Sequence, residues 1–336
     1  MKKGKKRPGK YEITVMILIA LIIAAFTADL IMKSRKPVQK TGFLLDTVVS
    51  VTLYDKRDED ILDGVYELCR SYEEKMSPTI KTSDVYRMNN RAAGQNRFTP
   101  DPSVLAVIQK GLEYSEKTDG AFDITVEPES SLWDFKAETP ELPDKAALEN
   151  AVKKVGYRNV RIEGNDVVFL NDDVQIDPGA VAKGYIADRL KEYLLEKGVK
   201  SAVINLGGNV LCVGRKPDGN PFTIGIMKPY SDHSETVKNL KIDDLSVVSS
   251  GVYERHFEKD GVNYHHILDP KTGMPYENGI TEVTIVGPLS AECDALSTSC
   301  FSLGTKKGME LLNGTEGYYG YFILDDGTVL PSANAV

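Results

Sequence analysis

The sequence has few cysteines, no excess of positive charge, and no repeated or low-complexity tract. None of its four cysteines stands in a Cys-x-x-Cys pair, which argues against a zinc site, and their apolar neighbours predict buried free thiols. The four are Cys69, Cys212, Cys293 and Cys300. A formal net charge of −8 at pH 7 argues against nucleic acid as the main partner. The composition is that of a globular protein, which excludes wholesale disorder.

Long apolar runs are also absent, except for one near the N-terminus. Residues 13–32 are just long enough for a transmembrane helix, and the basic residues in 1–12 favour a cytoplasmic tail. Residues 33–41 form a polar linker. No cysteine directly follows the run, which excludes a lipoprotein anchor. A cleaved signal peptide is the alternative, but residues 25–27 make a poor cleavage site. The sequence predicts a single-pass protein of the cytoplasmic membrane, with residues 42–330 on the extracytoplasmic side.

The most informative stretch surrounds one predicted helix, residues 180–196. A short strand is predicted before it at 174–176, and another after it at 201–205. The helix starts just after Asp177, and the second strand ends at Gly207-Gly208. A helix N-terminus and a double-glycine turn can both bring backbone N–H groups to an anion. An ordinary buried helix–strand unit with turn glycines is the alternative interpretation, since short glycine motifs are weak evidence.

Elsewhere, apolar spacing predicts a mixture of helices and strands. The helices are 61–76, 83–90, 100–118, 145–155 and 291–303; the strands are 43–53, 160–163, 167–170, 210–213, 223–227, 245–249, 253–257, 280–286 and 320–324. Helices and strands do not alternate in a regular βαβ rhythm. The fold class predicted is therefore α+β.

Two polar residues share a face of the predicted helix 291–303. Asp294 and Thr298 lie four residues apart, so both project from the same side. A carboxylate and a hydroxyl are hard oxygen donors that suit Mg²⁺. Spacing alone nevertheless favours a surface aspartate with a threonine bonded to the preceding turn.

The other candidate site residues are two histidines and three aspartates in turns. His265 and His266 precede an Asp269-Pro270 turn, and an imidazole there could remove a proton from a hydroxyl. A histidine pair that only completes a loop is the more common arrangement. Asp123, Asp177 and Asp269 each stand beside a turn glycine or proline, which predicts Asx turns.

Seven segments, taken together, resemble the motifs of the ApbE-type flavin transferases, the FAD:protein FMN transferase family. In chain order they are Ser83-Asp84-Val85-Tyr86-Arg87-Met88-Asn89, Gly120-Ala121-Phe122-Asp123-Ile124-Thr125-Val126, Asp177-Pro178-Gly179-Ala180-Val181-Ala182-Lys183-Gly184-Tyr185 with Asp188, Asn205-Leu206-Gly207-Gly208-Asn209, Ser249-Ser250-Gly251-Val252-Tyr253-Glu254-Arg255, His266-Ile267-Leu268-Asp269-Pro270 with Thr272-Gly273, and Ala291 to Thr298 with Asp294. The resemblance covers residues 42–330. The first segment departs from it, because Asp84 and Tyr86 stand where the family more often has Glu and Ser.

The resemblance implies a single α+β, T-fold-related catalytic domain that binds FAD in a cleft and requires Mg²⁺. Such enzymes cleave the FAD pyrophosphate, pass FMN to a Ser or Thr hydroxyl of an acceptor protein, and release AMP. The acceptor that it suggests is a subunit of an extracytoplasmic electron-transfer system. Two alternatives stay open: Mg²⁺-dependent hydrolysis of FAD to FMN and AMP, and an anchored flavin-binding protein without turnover.

The resemblance also implies roles for individual residues. Asp294, Thr298 and the backbone carbonyl of Ala180 match metal ligands, and His266 matches the base for the acceptor hydroxyl. The matching FAD contacts are Ala121, Phe122, Asp123, Asp177, Lys183 and Leu268, together with Leu45 near the start of the domain. This chemistry needs no nucleophile from the enzyme, because Mg²⁺ neutralises the pyrophosphate while a base activates the hydroxyl.

Overall fold

The computed structural model describes Met16, Ile19, residues 36–231 and residues 235–335. Within those residues, no helix combines the length and the apolar character needed to cross a membrane. The predicted anchor at residues 13–32, apart from Met16 and Ile19, lies outside the described residues, as does the basic tail at 1–12. Both stay predictions. The predicted linker 33–41 overlaps the first described strand, which starts at Val38.

Helices and strands are distributed along the whole described chain. The strands are β1 (Val38–Leu44), β2 (Thr47–Leu53), β3 (Arg97–Phe98), β4 (Val160–Glu163), β5 (Asp166–Phe169), β6 (Ser201–Leu206), β7 (Asn209–Gly214), β8 (Phe222–Met227), β9 (Thr236–Ile242), β10 (Ser246–Gly251), β11 (His256–Lys259), β12 (Val262–His265), β13 (Ile280–Gly287), β14 (Tyr319–Leu324) and β15 (Val329–Pro331). The helices are α1 (Glu59–Met76), α2 (Asp84–Asn89), α3 (Pro102–Lys117), α4 (Glu127–Ser130), α5 (Lys145–Val152), α6 (Gly179–Glu196) and α7 (Ser290–Asn313), with a 3₁₀ turn at Tyr157–Asn159.

Eight strands form one antiparallel sheet in the order β1-β2-β6-β7-β10-β13-β14-β15. Helices α6 and α7 pack on one face of it, and the β8–β9 hairpin covers part of the other. Val247 and Val248 are neighbours in β10 and are both buried: Val248 joins the core under the helices, and Val247 packs with Phe222 and Leu240 of the hairpin. The central strands are therefore covered on both faces. The α+β prediction is confirmed.

Three predicted strands need correction. The strand predicted at 43–53 is two strands, because Leu45 and Asp46 adopt left-handed backbone angles (φ +55° and +60°) and turn the chain between β1 and β2. Residues 174–176 pair with no strand in the described chain; instead the Asn89 side chain donates to the Ile176 carbonyl and accepts from its N–H, both at 2.8 Å. The strand predicted at 253–257 starts only at His256.

Two predicted helices end at different residues in the structure. The helix predicted at 145–155 ends at Val152, and the one predicted at 291–303 continues to Asn313 through a kink at Gly304 (φ +75°). Strand β9, which the sequence did not predict, completes the hairpin that covers the sheet. All four cysteines are buried free thiols, as predicted.

Candidate active site

One cavity of about 1630 Å³ is lined by all the residues to which the family resemblance assigned a role, whereas the candidates His265 and Asp269 do not line it. It is larger than the roughly 300–1,000 Å³ that encloses a drug-sized ligand. The predicted residues in its wall are Leu45, Ala121, Phe122, Asp123, Asp177, Ala180, Lys183, His266, Leu268, Asp294 and Thr298. They come from segments far apart in the chain, so the fold brings them together. Their individual roles stay predictions.

The contact between α6 and α7 positions the acidic end of the cavity. At Gly184, a Cβ would lie 2.3 Å from the Ser290 carbonyl oxygen, so only glycine lets the two helices come this close. One turn further along α6, the buried Asp188 carboxylate accepts from the N–H groups of Ser290 and Ala291 at 2.8 and 2.9 Å. Asp188 thereby caps the first turn of α7, which has no side-chain cap of its own.

Asp294 follows one turn later on α7 and is only 3% exposed. Its Oδ2 accepts from the Gly184 N–H at 2.8 Å, the group that a regular helix pairs with the Ala180 carbonyl. The carboxylate thus lies beside the first turn of α6. Burial raises the pKa of Asp294, and the Lys183 charge and the Gly184 N–H oppose that rise. No donor within the described residues bonds to Oδ1, which leaves it for a ligand.

Thr298, another of the three predicted metal ligands, is held in a hydroxyl network. Thr298 Oγ1 lies 3.0 Å from Ser250 Oγ on β10, which also contacts Ser297 Oγ at 2.8 Å. No cluster of three His, Cys, Asp or Glu side chains suited to a metal occurs in the described chain. One carboxylate, one hydroxyl and one helix carbonyl are still a donor set that fits Mg²⁺, which binds few protein ligands and keeps phosphate oxygens.

The two histidines have different surroundings. His265 is buried, with one ring nitrogen 3.0 Å from the Tyr276 carbonyl and the other 3.3 Å from the Ile267 N–H, so it holds the loop together. His266 lines the cavity, and its Nδ1 is enclosed without a partner among the described residues. Nε2 is the ring nitrogen left for a substrate. Burial, with the charges of Arg255 and Lys183, lowers the pKa of His266 to about 3, so the ring is neutral at pH 7.

The three turn aspartates form the predicted Asx turns. The carboxylates of Asp123, Asp177 and Asp269 each accept from the backbone N–H two residues on, at 2.8–3.0 Å. Asp123 Oδ2 also accepts from the Tyr157 N–H at 3.0 Å. Asp123 and Asp177 lie in the cavity wall, whereas Asp269 does not line the cavity. The Ala121 carbonyl is fixed in the same wall by the Tyr276 hydroxyl at 2.9 Å.

The two leucines among the predicted FAD contacts have different surroundings. Leu45, in the β1–β2 turn, donates its N–H to Glu73 Oε1 at 2.9 Å. Leu268 is buried against Trp133 and Phe257. Each residue thus contributes to the cavity from a fixed backbone.

Several charged residues of the cavity were not chosen from the sequence. Glu282 is buried in β13 and accepts from the Tyr253 hydroxyl at 2.6 Å. Glu254 is open to the cavity, but the protein around it displaces much of its water. This desolvation, together with the negative charges of Glu282 and Asp294, raises the pKa of Glu254 to about 7, and the charge of Lys183 opposes the rise. Glu282 is the one charged residue in strand β13, which was a usable signal in the sequence. Glu254 lies inside a quoted motif but received no role.

Known proteins resemble this chain over most of its length. The ApbE family model matches residues 45–322. An FAD:protein FMN transferase of Treponema pallidum is 32% identical over 316 residues, which cover 88% of this chain and 87% of that protein. One of Klebsiella pneumoniae is 33% identical over 304 residues, covering 90% and 94% respectively.

Solved structures agree with these sequence matches. The crystal structure of the ApbE protein of Thermotoga maritima superposes with a TM-score of 0.80 at 31% identity, covering 89% of this chain and 97% of that one. The flavin transferase ApbE of Vibrio cholerae superposes with a TM-score of 0.79 at 26% identity, with the same coverage.

Proposed function

Because the chain belongs to the ApbE family, we propose that it is a transferase that moves FMN from FAD to a Ser or Thr hydroxyl of an acceptor protein and releases AMP. The observation that carries this proposal is that a neutral His266 lines the same cavity as Asp294 and Thr298. A site that only binds flavin needs neither a base nor a cation site.

The reaction is a displacement at phosphorus. The acceptor hydroxyl oxygen bonds to the phosphorus of the FMN half, the pyrophosphate P–O bond to AMP breaks, and the hydroxyl proton moves to His266. Asp294, Thr298 and the Ala180 carbonyl would hold Mg²⁺, which neutralises charge on the pyrophosphate when bound. Lys183 also lines the cavity, and its positive charge opposes the rise in the pKa of both Asp294 and Glu254.

The acceptor and the location complete the proposal. A subunit of an extracytoplasmic electron-transfer system would supply the hydroxyl, and residues 13–32 would anchor the enzyme in the cytoplasmic membrane with its domain outside. The charge pattern of residues 1–32 supports this orientation.

The test is His266→Ala with FAD, Mg²⁺ and a candidate acceptor. Loss of the base should slow transfer by about 10²–10⁴-fold. FAD affinity should stay within a few-fold of wild type, and added imidazole should restore part of the rate. His265→Ala is the control: it removes loop hydrogen bonds, so its folded fraction should show normal transfer.

Three results would contradict the proposal in different ways. Wild-type protein that yields only free FMN and AMP is a hydrolase, and one that leaves FAD unchanged is a binding protein. Equal losses in His265→Ala and His266→Ala would make His266 a structural residue.

A further inference from the structure

Three partly exposed charged residues of the cavity wall form a cluster, which we call the clasp: Asp46, Lys136 and Arg255. Asp46 Oδ1 pairs with the Lys136 ammonium group, and Asp46 Oδ2 lies 3.2 Å from Arg255 Nη2. The three residues come from the β1–β2 turn, the loop after α4, and the segment between β10 and β11. All three line the cavity, so one carboxylate ties three separate walls together.

The ion pairs of the clasp are weak, because all three side chains are exposed to solvent. Its side chains are 50%, 57% and 45% exposed, in the order Asp46, Lys136 and Arg255. Exposed ion pairs add little to stability, so an anion of higher charge can exchange for the Asp46 carboxylate. The turn that carries Asp46 also has two successive non-glycine residues in the left-handed region.

Arg255 connects the clasp to the predicted base. The His266 backbone N–H donates to the Arg255 carbonyl at 3.1 Å, so the two residues are neighbours across adjacent segments. The Arg255 charge also contributes to the lowered pKa of His266. A guanidinium binds two phosphate oxygens at once, whereas an ammonium group acts as a point charge.

We propose that Lys136 and Arg255 form a binding site for the phosphate part of the incoming nucleotide, and that Asp46 fills that site until the nucleotide displaces it. This inference rests on the proposed function, because that function supplies FAD as the anion. Asp46 is then a specificity-determining residue: it leaves the cations paired in the empty enzyme and releases them only to a competitor with phosphate charge.

The experiment measures equilibrium binding of FAD, ADP and riboflavin to the full chain. Asp46→Asn keeps a residue that tolerates a positive φ and removes the competing charge. It should tighten FAD and ADP about three- to tenfold. Arg255→Gln should weaken both about tenfold, and Lys136→Gln should weaken both about threefold. Riboflavin has no phosphate, so its affinity should stay unchanged in all three variants.

The controls separate the clasp from general charge effects. Asp243→Asn breaks the exposed Arg215–Asp243 pair, whose residues do not line the described cavity, and should alter no affinity. In Asp46→Asn combined with Arg255→Gln, most of the gain from the first change should vanish, since the two residues interact.

The outcomes distinguish this inference from the proposed function. If wild-type protein binds FAD and transfers FMN while Asp46→Asn leaves FAD and ADP affinity unchanged, the clasp does not guard a phosphate site and only this inference fails. Equal changes for riboflavin and FAD would also overturn it, because the effect would then be structural. Wild-type protein that binds FAD without transferring FMN would overturn the proposed function alone.

Discussion

Replacing Glu129 by leucine should stabilise the protein, and the gain should grow as the pH rises. Glu129 lies on α4 and is completely buried, and neither of its carboxyl oxygens has a hydrogen-bond partner among the described residues. Burial, with the nearby charges of Asp269 and Asp123, raises the pKa of Glu129 to about 8. The folded protein therefore carries a protonated glutamic acid at neutral pH.

The size of the effect follows from the difference between folded and unfolded protein. An unfolded glutamate releases its proton near pH 4.3, whereas folded Glu129 keeps it up to about pH 8. Between these values the folded state binds more protons, so the free energy of unfolding falls by about 1.4 kcal/mol per pH unit for this group. From pH 5 to pH 7 the loss is on the order of 2–3 kcal/mol. Leucine removes it.

Urea unfolding of the full chain at pH 5, 6, 7 and 8 checks this prediction. The difference in unfolding free energy between Glu129→Leu and wild type should increase steadily across the series. Glu149→Gln, on the exposed side of α5, is the control and should follow wild type at every pH. A Glu129→Leu protein with the same pH dependence as wild type, or with lower stability at pH 8, would refute the reasoning.

Two further predictions concern the metal ligands and the anchor. Asp294→Ala should abolish most transfer while circular dichroism shows an intact fold. Thr298→Ala should have a smaller effect, because a hydroxyl binds a hard cation less strongly than a carboxylate does. If Asp294→Ala keeps wild-type turnover at limiting Mg²⁺, Asp294 is not a metal ligand. Protease added to intact cells or protoplasts should digest the domain, since residues 13–32 would hold it outside; complete protection would reverse the topology.

Local chemistry explains what could be predicted from the sequence. The Asx turns at Asp123, Asp177 and Asp269 depend only on a carboxylate and an N–H two residues away, so composition was sufficient. Helix α6 also has a regular apolar period, and Gly198 takes the left-handed conformation just after its end. Such features need no knowledge of the rest of the fold.

Long-range contacts explain what was missed. The β1–β2 turn uses Leu45 and Asp46, which carry no glycine or proline signal, and its conformation depends on the surrounding fold. Asp46 pairs with Lys136, 90 residues away, and with Arg255, which is more distant still. A pattern with a period of two or 3.6 residues contains no information about such pairs. The cavity residues were therefore identified through the family resemblance, and neither that resemblance nor any sequence pattern identified the clasp.

Gly184 and Asp188 set the geometry of the proposed cation site before any cation arrives. The first fixes how closely α6 approaches α7, and the second fixes where α7 begins. Ala180 and Asp294 therefore reach their relative positions during folding, through contacts made within the protein alone. A cation bound by ligands already in place would spend little of its binding free energy on ordering them. Its affinity is then determined by charge and donor chemistry rather than by the flexibility of the two helices.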